Sequence, residues 1–323
     1  LKGKTEVILS VSRRTDIPAF YSDWFINRIN EGFVMVRNPM NHNQISRIAL
    51  NPDLIDCIVF WTKDSHNIFE KLDKFKDYNY YFQYTITPYE KDIEKNLRDK
   101  SEIIDEFKKL SEKIGPEKVI WRYDPIILTD KYTEEYHINA FSDFASALKG
   151  YAEKCVISFV DMYKSITVGM KAAGSLPIAD LTMKRMGKEI AEIASLNSMK
   201  TATCCEAVDL SEFGIEHNKC IDDELISRIL GKDLKIKKDK NQRENFGCVS
   251  SIDIGTYNTC SHTCIYCYAN HGNSRVQKNN LKHNDNSPLL VGEISENDII
   301  LDRKMESYID NNTVEQLSLF GEV

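Results

Sequence analysis

The chain has 323 residues, 42% of them hydrophobic and 28% charged, with few glycines and prolines, which is enough apolar material for one large α/β domain with a substantial core. Its formal net charge of −7 argues against a broad non-specific nucleic-acid surface, though a local basic groove remains compatible with it. There is no charged-then-apolar leader and no apolar run long enough for a bilayer, so a soluble, cytoplasmic protein without a membrane partner is expected.

The first β-rich run, residues 7–12, leads into Arg13, Arg14 and Asp16, and a helix is predicted over 22–30 with Ser22 as its N-cap. A hairpin of 33–36 with 45–49 turns through Asn38, Pro39, Met40 and Asn41. The run 57–61 ends at Thr62, Lys63 and Asp64, and the run 80–86 at Thr87, before a helical pattern over 89–114. Next come the run 119–123, closing on Arg122, Tyr123 and Asp124, and a helix over 133–148 capped by Thr133. The run 155–160 ends at Asp161, and a helix over 183–196 separates it from the runs 201–205 and 251–255.

Strands alternating with helices of this length indicate βα units and a parallel sheet. The expected fold is therefore α/β, a full or partial TIM-type (β/α) barrel spanning residues 1–270. In such barrels functional groups gather at the C-terminal ends of the strands. Convergence of these charged and hydroxylated strand ends predicts a polar pocket at one mouth. Salt bridges of Arg13 with Asp16 and of Arg122 with Asp124, fixing loops, are the plainer reading of the same residues. Lys63 or Arg122 is suited to holding an anionic substrate.

Nine cysteines, an odd number in a reducing compartment, point to ligation rather than to a disulfide framework. Cys57 and Cys155 lie inside apolar runs and read as small core residues. Cys204, Cys205, Cys220 and Cys248 fall at a strand end or in loops, and Cys204, Cys220 and Cys248 are candidates for a second iron–sulfur cluster. Cys260, Cys264 and Cys267 stand at C-x3-C-x2-C spacing with Tyr266 directly before the last. Three thiolates can hold three irons of a 4Fe–4S cubane and leave one iron open, where ordinary electron-transfer clusters are closed by four cysteines. A structural zinc ion is the competing reading, with His262 or Cys248 as its fourth ligand.

The residues Tyr257, Asn258, Cys260, His262, Cys264, Tyr266, Cys267, Tyr268 and Ala269 resemble the motif of the spore-photoproduct-lyase-like branch of the radical S-adenosylmethionine (SAM) superfamily. That resemblance implies a cluster whose open iron is chelated by SAM, and cleavage of SAM to a 5′-deoxyadenosyl radical that abstracts hydrogen from a substrate, of the lyase class among others. It also implies an electron donor such as flavodoxin or ferredoxin. Arg13 or Arg14 would clamp the SAM carboxylate, Asp16, Asp124 or Asp161 would take its amine or ribose, and Tyr266 would pack near the adenine. DNA carrying damage or modification is one expected substrate, beside a small metabolite or a peptide side chain.

Nearly the whole chain also resembles an uncharacterised bacterial family, domain-of-unknown-function family 1848. The resemblance is carried by the run from Ser12 to Tyr21, by Val36, Arg37, Asn38 and Pro39, by Phe60, Trp61, Thr62 and Lys63, and by Trp121, Arg122, Tyr123, Asp124 and Pro125. The cysteine motif stands far later than in typical radical SAM enzymes, and no Gly-Gly-Glu-like site for the SAM amine is present. The expected barrel is thus circularly permuted, with its cluster loop near the C-terminus.

After Asn270 the composition turns polar, so residues 271–323 read as a peripheral or flexible tail. Within it, Gln316, Leu317, Ser318, Leu319 and Phe320 resemble the pentapeptide by which bacterial proteins dock on the replication sliding clamp. A terminal amphipathic turn folding back on the barrel is the alternative. Joined to a zinc site, the pentapeptide supports a second functional reading: a non-catalytic, zinc-stapled adaptor of the replication machinery.

Overall fold

The computed structural model describes residues 7–204, 206–234, 236 and 247–305. Strands β1 (Ile8–Val11), β2 (Phe33–Arg37), β3 (Gln44–Ala49), β4 (Cys57–Thr62), β5 (Tyr80–Thr85) and β6 (Val119–Ile126) are followed by β7 (Lys154–Phe159), β8 (Lys200–Thr203), β9 (Glu216–His217), β10 (Ile252–Asp253) and β11 (Ile299–Asp302). The helices are α1 (Ile17–Phe20), α2 (Ser22–Glu31), α3 (His66–Phe69), α4 (Lys100–Ile114), α5 (Glu134–Ala147), α6 (Thr167–Ala172), α7 (Asp180–Leu196), α8 (Asp223–Leu230) and α9 (Asn273–Asn280).

Eight strands form one parallel sheet in the order β10-β1-β4-β5-β6-β7-β8-β9. Its strands β1, β4 and β7 are largely apolar and buried because both faces are covered. Leu9, Val11, Phe60, Phe82, Trp121 and Ile157 face the main core beneath the helices. Ile8, Val59, Tyr81, Ile120 and Val156 face the other side, where Leu225 and Ile226 of α8 pack with Ile221 and Val249. Among the described residues no pairing joins β9 to β10, so the demonstrated architecture is an eight-stranded parallel α/β sheet.

The predicted strands are all present, with ends shifted by one to three residues. The helix expected over 89–114 begins only at Lys100, after Asp99 in extended conformation. Tyr89, Ile93 and Leu97 recur at helical spacing, yet they are buried by turns that pack on the cysteine loop. Thr133 caps α5, accepting from the Tyr136 amide. Ser22 does not cap α2, for it is the first helical residue and its hydroxyl donates to the carbonyl of Asn67.

In the stretch expected as a polar peripheral or flexible tail, residues 271–305 are mostly exposed and carry α9 and β11. β11 pairs with β3 of the β2–β3 hairpin, Leu289 and Leu290 are buried, and the Trp24 indole donates to the Ser287 carbonyl at 2.8 Å. Side-chain to backbone bonds of this kind hold a polar segment that has few apolar residues of its own. The pentapeptide from Gln316 to Phe320, with Leu317 and Leu319, lies outside the described residues, as does Cys205.

Candidate metal centre

The cysteine loop leaves the C-terminal end of the edge strand β10, directly beside β1. Asp253 ties these strand ends together. Its carboxylate accepts from the Ser10 and Ser12 hydroxyls at 3.0 and 2.6 Å and from the backbone amides of Arg13 and Gly255 at 2.8 and 3.0 Å. Gly255 has no room for a side chain, since a Cβ there would lie 2.0 Å from Ser12 Oγ. Arg13 and Arg14 each bring Nε to 3.8 Å from Asp253, so the expected Arg13–Asp16 bridge is replaced by one to a residue that sequence reading overlooked.

Asp16 has a different task. Its Oδ1 accepts from the Ala19 amide and the Thr62 hydroxyl at 3.0 and 2.8 Å, while Oδ2 accepts from the Lys63 amide and His262 Nε2 at 2.7 and 2.9 Å. Four donors use up this carboxylate, which therefore clamps the motif histidine to the ends of β1 and β4. A carboxylate only accepts, so Nε2 of His262 carries the proton. Its Nδ1 is buried without a hydrogen-bond partner, as is Asn270 Oδ1.

The loop itself is held at both flanks. The Tyr21 hydroxyl donates to the Thr259 carbonyl at 2.7 Å, the Ile265 amide to the Ile93 carbonyl at 3.1 Å, and the Asn96 side chain to the Ser261 carbonyl at 2.8 Å. Asn279 of α9 donates to the Asn258 carbonyl at 3.0 Å. Asn258 and Thr263 take positive φ values of 59° and 54°, a conformation costly to residues other than glycine and sustained here by those surrounding bonds.

Cys260, Cys264 and Cys267 lie within this loop, close enough to influence one another electrostatically. Burial pushes the Cys264 thiol up to about 12, and the Lys63 ammonium pulls in the opposite direction. Burial likewise raises Cys260 and Cys267. Lys63 is buried, which disfavours its charge, but Glu94 more than restores it. The Glu94 carboxylate accepts from Lys63 Nζ at 2.7 Å, from the Thr87 hydroxyl at 2.7 Å, and from Lys100 and the Tyr266 hydroxyl. Tyr266 thus anchors the motif to the end of β5, with Lys63 Nζ 5.5 Å above its ring.

Three thiols on one braced loop, a cation facing one of them and two orphaned polar atoms beside them fit a thiolate-bound metal group. Among the described residues no group of three His, Cys, Asp or Glu side chains stands preassembled around an ion. Cysteine rotamers would therefore turn on loading. Of the fourth zinc ligands considered, Nε2 of His262 is committed to Asp16, and Cys248 Sγ accepts from the Cys220 amide at 3.2 Å.

Arg122 and Asp124 pair as expected, near the C-terminal end of β6. Arg122 Nη1 donates to Gln83 Oε1 at 3.2 Å and to Cys220 Sγ at 3.1 Å, and its guanidinium lies 5.3 Å over the Trp61 ring. Asp124 also accepts from the Ser158 hydroxyl. Nearby, Glu206 Oε1 accepts from the Phe159 amide at 2.6 Å; burial, with Asp161 and Asp124 adding to it, pushes its carboxyl up to about 7. Around Arg122 the cysteines converge, with Cys204 Sγ 3.1 Å from Cys220 Sγ.

Sequence reading missed Glu94, Lys100, Asp253 and Glu206. Glu94 and Lys100 sat inside a predicted helix, where a charge reads as solvated. Asp253 was taken as an ordinary strand residue, although an acid in a short apolar strand is itself a signal. Among the described residues no helix is long and apolar enough to cross a membrane.

A family model described as Domain of unknown function (DUF1848) matches residues 8–269, a span that takes in the whole sheet from β1 to β10 and the cysteine loop. No curated protein matches the chain.

Proposed function

The chain belongs to the DUF1848 family, and from that premise we propose that it is a radical SAM enzyme on a circularly permuted, partial TIM-type barrel. The observation that carries this reading is the position of the cysteine loop. It follows the edge strand β10, and the remaining strands then run outward in chain order from β1 to β9. Taking β10 as the first strand gives a sequential parallel sheet with its three-cysteine loop on the first strand-to-helix connection, at the C-terminal mouth.

Cys260, Cys264 and Cys267 would hold a 4Fe–4S cluster, which with SAM supplies one-electron reduction and hydrogen-atom abstraction when bound. The chain's own residues do the rest. Lys63 sets a positive charge by Cys264 and Cys267 in a buried setting, where an uncompensated anion is costly. Asp16 and His262 fix the loop against β1 and β4. Tyr266, partly exposed and backed by the buried Tyr89 ring at 6.0 Å between centroids, offers an aromatic face suited to adenine. Arg13, partly exposed and backed by Asp253, supplies a guanidinium at the mouth for a carboxylate. Arg122, Asp124, Ser158 and Glu206 cluster by the ends of β6 and β7, where a substrate would be positioned.

The test is anaerobic reconstitution with iron and sulfide, reduction in the presence of SAM, and mass-spectrometric assay for 5′-deoxyadenosine. Product from the wild type and none from a folded Cys264→Ala variant is the expected result, and a substrate search would then begin with DNA lesions. Equal product from both proteins would sink the cluster assignment. A protein that takes up only zinc and yields no product would replace it with a structural metal site.

A further inference from the structure

We propose that Cys204, Cys220 and Cys248 form a second metal centre, binding a thiophilic metal independently of the Cys260 loop. The three residues come from separate connections: Cys204 just after β8, Cys220 after β9 and Cys248 ahead of β10. They meet on the α8 side of the sheet. Cys204 and Cys220 bring their sulfurs to 3.1 Å across 16 residues, and the Cys220 amide lies 3.2 Å from Cys248 Sγ across 28.

The backbone around them is fixed by bonds that do not involve the thiols. The Cys220 carbonyl accepts from the Tyr81 hydroxyl at 2.8 Å and from Gln83 Nε2 at 2.9 Å. The Cys204 amide donates to the Ile157 carbonyl at 2.8 Å, and the Val249 amide to the Ile221 carbonyl at 3.2 Å. Ligands presented on a scaffold that is already rigid are what a metal site needs.

The chemistry around the sulfurs separates this group from the core cysteines. Cys57 and Cys155 are fully buried within the hydrophobic clusters. Cys220 is also buried, but it faces Arg122 Nη1 at 3.1 Å and Asn218 Nδ2 at 3.5 Å. Those donors suit a thiolate, the form in which cysteine binds a thiophilic metal. The sulfur spacing is informative too. A disulfide would need about 2.05 Å. A tetrahedral zinc–thiolate site, with Zn–S near 2.3 Å, sets its sulfurs about 3.8 Å apart. The 3.1 Å between Cys204 and Cys220 opens to that value with a small χ1 rotation, and a wider iron–sulfur cluster needs a larger one.

The experiment uses the full chain carrying Cys260→Ala, Cys264→Ala and Cys267→Ala, so failure of the radical SAM reading leaves this one testable. After anaerobic purification, iron, zinc and acid-labile sulfide are measured per chain. Retained metal that falls to background on adding Cys220→Ala, or the milder Cys248→Ser, supports the centre. Iron with sulfide then identifies a cluster, and zinc alone a single ion. Cobalt(II) added to the metal-free triple variant gives a second readout without touching this site: a thiolate-to-cobalt charge-transfer band is expected. No band and no retained metal, metal content unmoved by Cys220→Ala and Cys248→Ser, or a Cys204–Cys220 disulfide found by mass spectrometry would each overturn the proposal.

Discussion

The ammonium of Lys63 lies 2.7 Å from Oε1 of Glu94, joining the end of β4 to the turns that brace the cysteine loop. Glu94 is almost completely buried, yet its carboxyl is held at about 2: burial pushes it up, and Lys63 and Lys100 together more than reverse that. The pair lies beneath Tyr266, so the charge facing Cys264 and the anchor of the motif tyrosine are one network.

Glu94→Gln should therefore destabilise the fold by roughly 3 kcal/mol at neutral pH, the linkage value of a carboxyl lowered from about 4.3. Because the folded value lies below the unfolded one, the contribution is complete above pH ~4.3 and fades as the pH falls towards about 2. Denaturant titrations of both proteins at neutral and acidic pH check this. A difference that stays constant across that range would mean Glu94 is not charged in the native state.

Gly255→Ala puts a methyl group 2.0 Å from Ser12 Oγ, against the strand end that carries the loop. A cost of about 1–3 kcal/mol is expected from forced overpacking. Under the proposed cluster assignment, metal retention at the Cys260 loop should fall with it, because the register of β10 against β1 aims that loop. Unchanged melting and unchanged metal content in the variant would refute the close approach.

Burial, with Asp161 and Asp124 adding to it, pushes the Glu206 carboxyl up to about 7. A raised folded value costs stability as the pH climbs through it, so Glu206→Gln should be more stable than the wild type at pH ~8 by roughly 1–3 kcal/mol. Near pH ~4 the two should match, since Gln keeps an oxygen for the Phe159 amide. Thermal melts across this range read the divergence. A variant no more stable at the alkaline end contradicts the assignment.

His137 is buried and neutral, with its ring lowered to about 4 by burial. Nε2 donates to the Ile127 carbonyl at 3.0 Å, which leaves Nδ1 to accept from the Tyr123 hydroxyl at 2.9 Å. The folded value lies below the unfolded one of about 6.5, so stability present above pH ~6.5 is lost on acidification towards about 4, by roughly 2 kcal/mol between pH ~7 and ~5. His137→Phe should be weaker at neutral pH and show a flatter slope across that window. An equal slope in both proteins would assign the acid sensitivity elsewhere.

Local pattern alone was sufficient for the central strands, though not for β9 or β11. Runs such as Ile58 to Phe60 and Val119 to Trp121 are apolar on both faces, as the strands of a covered parallel sheet are. The spacing of Cys260, Cys264 and Cys267 is likewise a property of one short segment, so it too is readable without a fold. The turns at 89–99 were not, because Tyr89, Ile93 and Leu97 satisfy a helical period while their partner is a loop some 170 residues away. Partners at such distances were settled by the tertiary structure: Asp253 for Arg13, His262 for Asp16, Glu94 for Tyr266, and Cys220 for Cys204. Sequence names the groups able to carry charge or bind metal. Which of them are neutralised by a neighbour is decided by burial and proximity, which arise only when the sheet brings the strand ends together.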